Sequence, residues 1–394
     1  MKKIAFVATG YILKYDGISV YTENLLLEFL KTLNNEKDYK IDIYIGESVF
    51  ILLKERIFKE NLYNKNIKII KIKDNKFIYK IINLNIKLIF NGKYDLIFMS
   101  NFMPTLFLPS KTIKVIHDFS VNHFSELYSK TYLKYHNFLL WYAKQFDYAI
   151  GYISNTTLND MEIFHKINFK NKKLLHLQNG IPFKVRNFSR PHIEIINNKY
   201  LDKNLQLLVV GRVNKHKGFD RILELSKYLD ENFILINKFQ SITLNIVGKQ
   251  TNETKDIFKN LNLKYININF HGFLNDEELN TLYTKSHFCL FLSRNEGYGI
   301  PLVEAMWFKT IPIISDIPIF NEIMGKNYIK FNDSTGYTNT IVNFMINIFE
   351  SEEFRKKQQH IIEEVVKIET NGYKTASNNL FNFIKDLKGI NQNG

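Results

Sequence analysis

SRNEGYGIPLVEAMWF, Ser293 to Phe308, sets two carboxylates, Glu296 and Glu304, around a pair of glycines and a proline. The apolar run just upstream, Phe288 to Leu292, has the length and composition of a buried strand. Gly297 and Gly299 let the backbone turn sharply and come close to a ligand. Pro301 suits the first turn of a helix, where no N–H is needed. Strand, glycine loop and helix in that order leave free N–H groups and the positive dipole end facing the loop, a ready site for a phosphate. Glu296 falls in the loop and Glu304 about one turn into the helix. Carboxylates would repel a phosphate, so they suit hydroxyls instead, as in a sugar and a ribose. A buried turn with two solvated glutamates fits the same spacing.

At 394 residues the chain exceeds the usual size of one domain, and two are expected. With 45% hydrophobic residues it can bury substantial cores. A formal charge of +14 favours anionic partners: nucleotides, nucleic acid or an acidic membrane face. One cysteine, Cys289, excludes an intramolecular disulfide, fits a reducing cytosol, and reads as a small buried hydrophobe. The opening MKKIAFVATG reads as a first strand rather than a signal peptide. No apolar stretch approaches the roughly 20 residues that span a bilayer, so any membrane contact is expected to be peripheral.

Apolar runs at Ile4–Ala8, Ile41–Ile45, Ile67–Ile72, Leu96–Met99, Lys114–Ile116, Tyr148–Ile153 and Leu174–Gly180 alternate with helical segments. That alternation predicts an α/β domain with a parallel sheet. A second set follows at Leu205–Val210, Leu244–Gly248, Ile268–Phe273 and Phe288–Leu292. The first strand leads to Gly17 and a helix of amphipathic spacing, without the G-x-G-x-x-G of a dehydrogenase. His117-Asp118 ends a strand, where ligands of open α/β sheets bind. Arg212 and Lys217, between Gly211 and Gly218, follow another strand; a guanidinium fork and a point charge suit a diphosphate. Solvated cations are the plainer alternative. Leu133 to Asp147 is an aromatic helix whose rings are expected in the core. From Lys54 to Lys93 basic residues outnumber acidic ones about eleven to three, among Ile, Phe and Tyr. Such a stretch either lies on an anionic membrane or forms the solvated face of a lysine-rich protein.

The pattern E-G-Y-G-I-P-x-x-E-A, with Ser315-Asp316-Ile317-Pro318 and Glu322 beyond it, resembles the family 4 retaining glycosyltransferases of the GT-B fold. It is similar to the subgroup that builds bacterial surface polysaccharides. The G-R-x-x-x-x-K-G of Gly211–Gly218, the VIHDFSVNHFSELYS from Val115 and the helix start after Gly17 resemble the same family. Two departures stand out: one glycine where the family has two near Gly17, and a proline displaced to Pro312. The resemblance implies two Rossmann-like domains whose parallel sheets face across a cleft. The expected division is 1–183, a linker at 184–203, 204–365, and a terminal segment 366–394 that returns to the first domain.

By the same resemblance, Arg212 and Lys217 stabilise the leaving diphosphate, Glu304 holds the ribose, and Glu296 and His117 meet the sugar. Gly17, Asp118, Gly297, Tyr298, Gly299 and Ile300 line the donor, with Phe273 and Leu274 beside its base. The implied reaction needs no metal and no resident cofactor. The implied partners are a nucleotide diphosphate sugar and a glycan or lipid-linked glycan acceptor, as in O-antigen or capsule synthesis, with mannose one sugar of the subgroup. The expected location is cytoplasmic, peripheral on the inner face of the membrane. A sugar-nucleotide epimerase or hydrolase on the same fold is one rival. A basic membrane- or nucleic-acid-binding protein is another, although no nucleic-acid motif supports it.

Overall fold

The computed structural model describes residues 1–12, 16–34, 36–74, 76–105, 108, 110–165, 172–212, 215–250, 256–258, 260–332 and 336–387. The chain divides into two compact units, one of residues 1–182 with 371–394 and one of residues 183–370.

In the first unit seven strands pair in parallel: β1 (Lys2–Val7), β2 (Tyr39–Gly46), β3 (Ile67–Ile72), β4 (Leu96–Met99), β5 (Thr112–Ile116), β6 (Ala149–Tyr152) and β7 (Lys173–His176). Their order is 3-2-1-4-5-6-7, so the winding reverses between β1 and β4. The strands are almost continuously apolar because helices cover both faces. Phe6 on one face meets Phe29 of the helix Gly17–Leu33 and Phe98 of β4. Ala5 and Val7 belong to the opposite core, with Leu84 and Leu88 of the helix Phe77–Phe90. The helix Gly372–Asp386 also belongs to this unit. Tyr373, Ala376, Leu380 and Ile384 are buried, and Ser377 Oγ lies 2.7 Å from Thr32 Oγ1.

The second unit holds β8 (Asn204–Val210), β9 (Ser241–Val247), β10 (Ile266–Gly272), β11 (Phe288–Phe291) and β12 (Ile311–Ile314), all parallel, in the order 10-9-8-11-12. β12 is absent from the sequence expectation, and it accounts for the displaced proline. Pro312 sits in a strand that pairs on one side only, with β11, so its missing N–H breaks no ladder.

Three expectations are corrected. Residues 184–203 are not a free linker but part of the second unit. They carry the helix Ile193–Lys199, whose Ile196 is fully buried, and then the buried Tyr200. Arg190 grips the Glu363 carboxylate with both Nη atoms, at 2.6 and 2.9 Å, and the Trp307 carbonyl at 3.1 Å. At the other boundary, residues 366–370 continue the helix Glu352–Glu369 and its cap within the second unit, and the division comes after Thr370. The aromatic helix, observed as Lys130–Phe146, buries Leu139, Leu140, Tyr142 and Ala143. Tyr132, Phe138, Trp141 and Phe146 remain 46–57% exposed. A helix turns only one stripe to the sheet, and this one carries more rings than that stripe holds.

Candidate donor site

Three glycines close the carboxyl ends of β8, β9 and β10. Gly211, Gly248 and Gly272 have φ of +135°, +124° and +67°, a region that favours glycine. Gly211 N–H donates to the Val247 carbonyl at 3.0 Å and Gly248 N–H to the Gly272 carbonyl at 2.7 Å. A Cβ on Gly248 would stand 2.3 Å from the Gly211 carbonyl oxygen, so no larger residue fits. This bare backbone edge carries Arg212 after β8 and Phe273 and Leu274 after β10. Arg212 is exposed and makes no hydrogen bond or ion pair among the described residues. Val213 and Asn214, within the quoted cationic motif, lie outside the described residues. Phe273 is largely exposed and Leu274 partly so. Asn275 then caps the helix Asp276–Lys285 in a reciprocal box with Glu278.

Lys217 and Glu296 come together. Their loops are laced by Arg294, whose N–H donates to the His216 carbonyl at 2.8 Å and whose guanidinium forks onto Asp220 at 2.7 and 2.8 Å. Arg221 donates to the Leu292 carbonyl at 2.8 Å. Gly218, at φ +72°, passes so close that a Cβ would lie 1.8 Å from that same carbonyl oxygen. Across this seam Lys217 Nζ sits 2.5 Å from Glu296 Oε2, and Ser293 Oγ donates to Glu296 Oε1 at 2.8 Å. The pair is partly buried, with Glu296 13% and Lys217 33% exposed at the side chain.

The helix Ile300–Trp307 begins where expected, with Gly299 at φ +98° as its cap and Pro301 in its first turn. A Cβ on Gly299 would lie 3.1 Å from the Phe320 ring. Tyr298 turns inward: its ring is buried and its hydroxyl donates to the Glu369 carboxylate. Ile300 is buried as well, so its side chain supports the loop from beneath.

Glu304 is 5% exposed, and Tyr283 Oη donates to its Oε2 at 3.1 Å. Burial raises the pKa of its carboxyl, the Lys184 ammonium and the Tyr283 bond pull it back, and Asp276 pushes it up again. Lys184, itself paired with Asp276 at 2.9 Å, is a neighbour that sequence reasoning assigned to the linker. Ser293 and Arg294 lay inside the decisive stretch without a role. A hydroxyl three residues before a loop carboxylate was the available signal for Ser293.

In the first unit, His117 directly follows β5 and its Nε2 lies 2.7 Å from the Ser100 carbonyl oxygen. A carbonyl only accepts, so Nε2 carries the proton and Nδ1 holds the lone pair. Burial lowers the pKa of the imidazole against the Ser100 bond and the charges of Asp118 and Asp16, favouring the neutral form. Tyr21 packs edge-on to the ring at 4.7 Å. Asp118 Oδ1 accepts the Ser120 N–H at 2.9 Å, fixing the turn after the strand. Gly17 is the exposed first residue of its helix, capped by Asp16. The tight approach occurs at Gly10 instead, where a Cβ would lie 2.8 Å from Ile18 Cγ2 and 2.9 Å from Thr22 Oγ1. Among the described residues no group of three or more His, Cys, Asp or Glu could hold a metal ion, and no helix is long and apolar enough to cross a membrane.

The family model of the glycosyl transferases group 1 matches residues 192–365, the segment that carries the glycine-ended strands and the Lys217–Glu296 pair. Over this segment the chain is similar to the group 1 glycosyl transferases. The chain is 29% identical over 147 residues to the O-antigen chain mannosyltransferase RfbU of Salmonella typhimurium, 36% of this chain and 39% of that one. It spans about two fifths or less of the length of the curated relatives it matches. Its fold is GT-B. The Anabaena protein HepE, solved in complex with UDP and glucose, superposes with a TM-score of 0.66 at 14% identity, over 98% of this chain and 100% of that one. WaaG, a glycosyltransferase involved in lipopolysaccharide biosynthesis, gives 0.67 at 15% identity over 95% and 98%. At such identities the solved structures speak for the fold alone. The match begins inside 184–203, which agrees with Tyr200 being buried in the second unit and Arg190 being bonded to Trp307 and Glu363 there.

Proposed function

We propose that this protein transfers a sugar, with retention, from a nucleotide diphosphate donor to a glycan or lipid-linked glycan acceptor in surface-polysaccharide synthesis. The observation that carries the reading is the ammonium of Lys217 held against Glu296, beside a glycine-rich strand edge and the open end of the helix Ile300–Trp307. A diphosphate at that edge competes with Glu296 for Lys217. As the donor bond breaks, charge grows on the departing phosphate, and Lys217, Arg212 and the amides around Gly299 stabilise it. Glu296, released from the ammonium, accepts from sugar hydroxyls, and Glu304 accepts from the ribose. Phe273 and Leu274 flank the base. Neutral His117 offers the lone pair of Nδ1 to the transferred sugar, with Asp118 holding its loop, and the turn at Gly17 bears on the diphosphate or the acceptor. The RfbU likeness supports mannose as the sugar. A lipid-linked acceptor, if that is the one used, implies a reaction at the inner face of the membrane.

The test is turnover of nucleotide diphosphate sugars by Lys217→Ala and Arg212→Ala, after a thermal-shift screen has found the donor that raises the melting temperature. Each variant is expected to lose about a hundredfold in kcat, the usual loss on removing one group that stabilises transition-state charge. Wild-type rates in both would end the diphosphate assignment.

A further inference from the structure

Two helices of the first unit carry apolar residues where water-facing helices carry polar ones. In Phe77–Phe90 the inner stripe, Leu84 and Leu88, packs on the sheet. The outer stripe, Ile78, Ile82, Ile86 and Phe90 at four-residue spacing, is 45–84% exposed. Lys130–Phe146 repeats the pattern with Phe138, Trp141 and Phe146. Both helices cover the same face of the sheet. Met99 pairs with Lys114 and Lys114 with Ile150 in parallel register, so the three side chains point one way. Met99 packs with Leu84 and Leu88, and Ile150 packs with Leu140 and Ala143.

Charge completes the pattern. The chain has 39 acidic residues, yet neither helix contains one. Lys80, Lys87, Lys130, Lys134 and Lys144 lie within them, and exposed Lys76 and Lys93 flank the first. Apolar residues with aromatic rings, set among lysines on helices that carry no carboxylate, match a surface that is greasy inside and anionic outside. A second copy of a chain with net charge +14 would set the same lysines against themselves.

We infer that the outer faces of Phe77–Phe90 and Lys130–Phe146 together form a membrane-docking surface for anionic lipid. This deepens the membrane clause of the proposed function and is independent of the donor chemistry, because it is read without substrate. Ile86 and Trp141 enter the acyl boundary while Lys76, Lys93, Lys130 and Lys134 meet lipid phosphates.

The experiment is co-sedimentation of the full chain with vesicles of phosphatidylcholine alone or mixed equally with phosphatidylglycerol, alongside light scattering of the free protein. The wild type is expected on the anionic vesicles, with binding that weakens as salt rises. Ile86→Glu and Trp141→Glu should each reduce partitioning at least tenfold, and Lys134→Gln about fivefold. Leu235→Glu, at a still more exposed apolar site in the second unit, should bind as the wild type does. Circular dichroism confirms that the variants are folded. Absence of wild-type binding, or equal binding by Ile86→Glu and Trp141→Glu, overturns the inference. So does a wild-type dimer that Trp141→Glu disperses without any change in vesicle binding, which would assign the surface to a second copy.

Discussion

At the scale of single residues, the backbone between the helix Ile300–Trp307 and β12 demands a glycine that the chain does not supply. Lys309 adopts φ +57° there, a conformation that costs a residue with a Cβ about 1 kcal/mol or more. Its ammonium recovers little, 3.8 Å from a Glu363 already taken by Arg190. Lys309→Gly is therefore expected to stabilise the second unit by about 1 kcal/mol, raising its melting temperature by roughly 2–4 °C. Lys309→Ala should bring no such gain; equal shifts for both would refute the backbone explanation. The sequence showed only the displaced proline nearby, and the proline and the strain have separate causes. Pro312 is harmless in an edge strand, whereas Lys309 carries the strain. The Lys217–Glu296 pair was not legible in the same way. Each residue could be assigned a ligand from its own motif, but 79 positions separate them, and only the lacing by Arg294 and Arg221 shows that they share one place.

Among the elements, the end of the helix Glu352–Glu369 controls the loop before Ile300. Glu369 accepts from the Tyr298 hydroxyl. Burial raises its pKa to about 7, the Tyr298 bond opposes the rise and the nearby Glu322 charge adds to it. The unfolded carboxyl titrates near 4.5, so between pH 4.5 and 7 the folded chain binds more protons than the unfolded one at this site. Stability from this group is then greatest below pH 4.5 and falls as pH rises to 7, by about 2 kcal/mol once partial exposure is discounted. Glu369→Gln keeps an acceptor for Tyr298 and removes the titration. Subtracting its stability curve from that of the wild type should leave a slope confined to this window; a flat difference would show that Glu369 ionises as an ordinary carboxyl. Element types were legible because buried parallel strands are short apolar runs between helices of clear period. The failures came where composition misled. Asn, Arg and Lys made 184–203 look like a tether, though Ile196 is buried and Tyr200 and Arg190 have partners in the second unit. The four-residue β12 was hidden by its proline.

For the molecule as a whole, the division into units does not follow the order of the chain. Residues 371–387 belong to the unit that contains residues 1–182. Tyr373 Oη donates to Asn179 Oδ1 at 3.0 Å, Asn379 Nδ2 donates to the His176 carbonyl at 3.0 Å, and Tyr39 packs on Phe381. Gly372 passes so near the Asn179 carbonyl that a Cβ would lie 1.9 Å from its oxygen. A chain ending at Thr370 is expected to keep residues 183–370 resistant to limited proteolysis while residues 1–182 become susceptible. Equal resistance of both would show that the last helix is dispensable.

That interleaving also sets a timetable for biosynthesis. A ribosome delivers the seven strands of the first sheet early but withholds the helix that seals one side of them. Residues 183–370 are contiguous and can reach their native state while the translating polypeptide is still tethered. Residues 1–182 are made before residues 183–370 yet completed after them, their Tyr21 and Tyr39 flank bare until the helix Gly372–Asp386 emerges, and in that interval chaperones have the most apolar surface to guard.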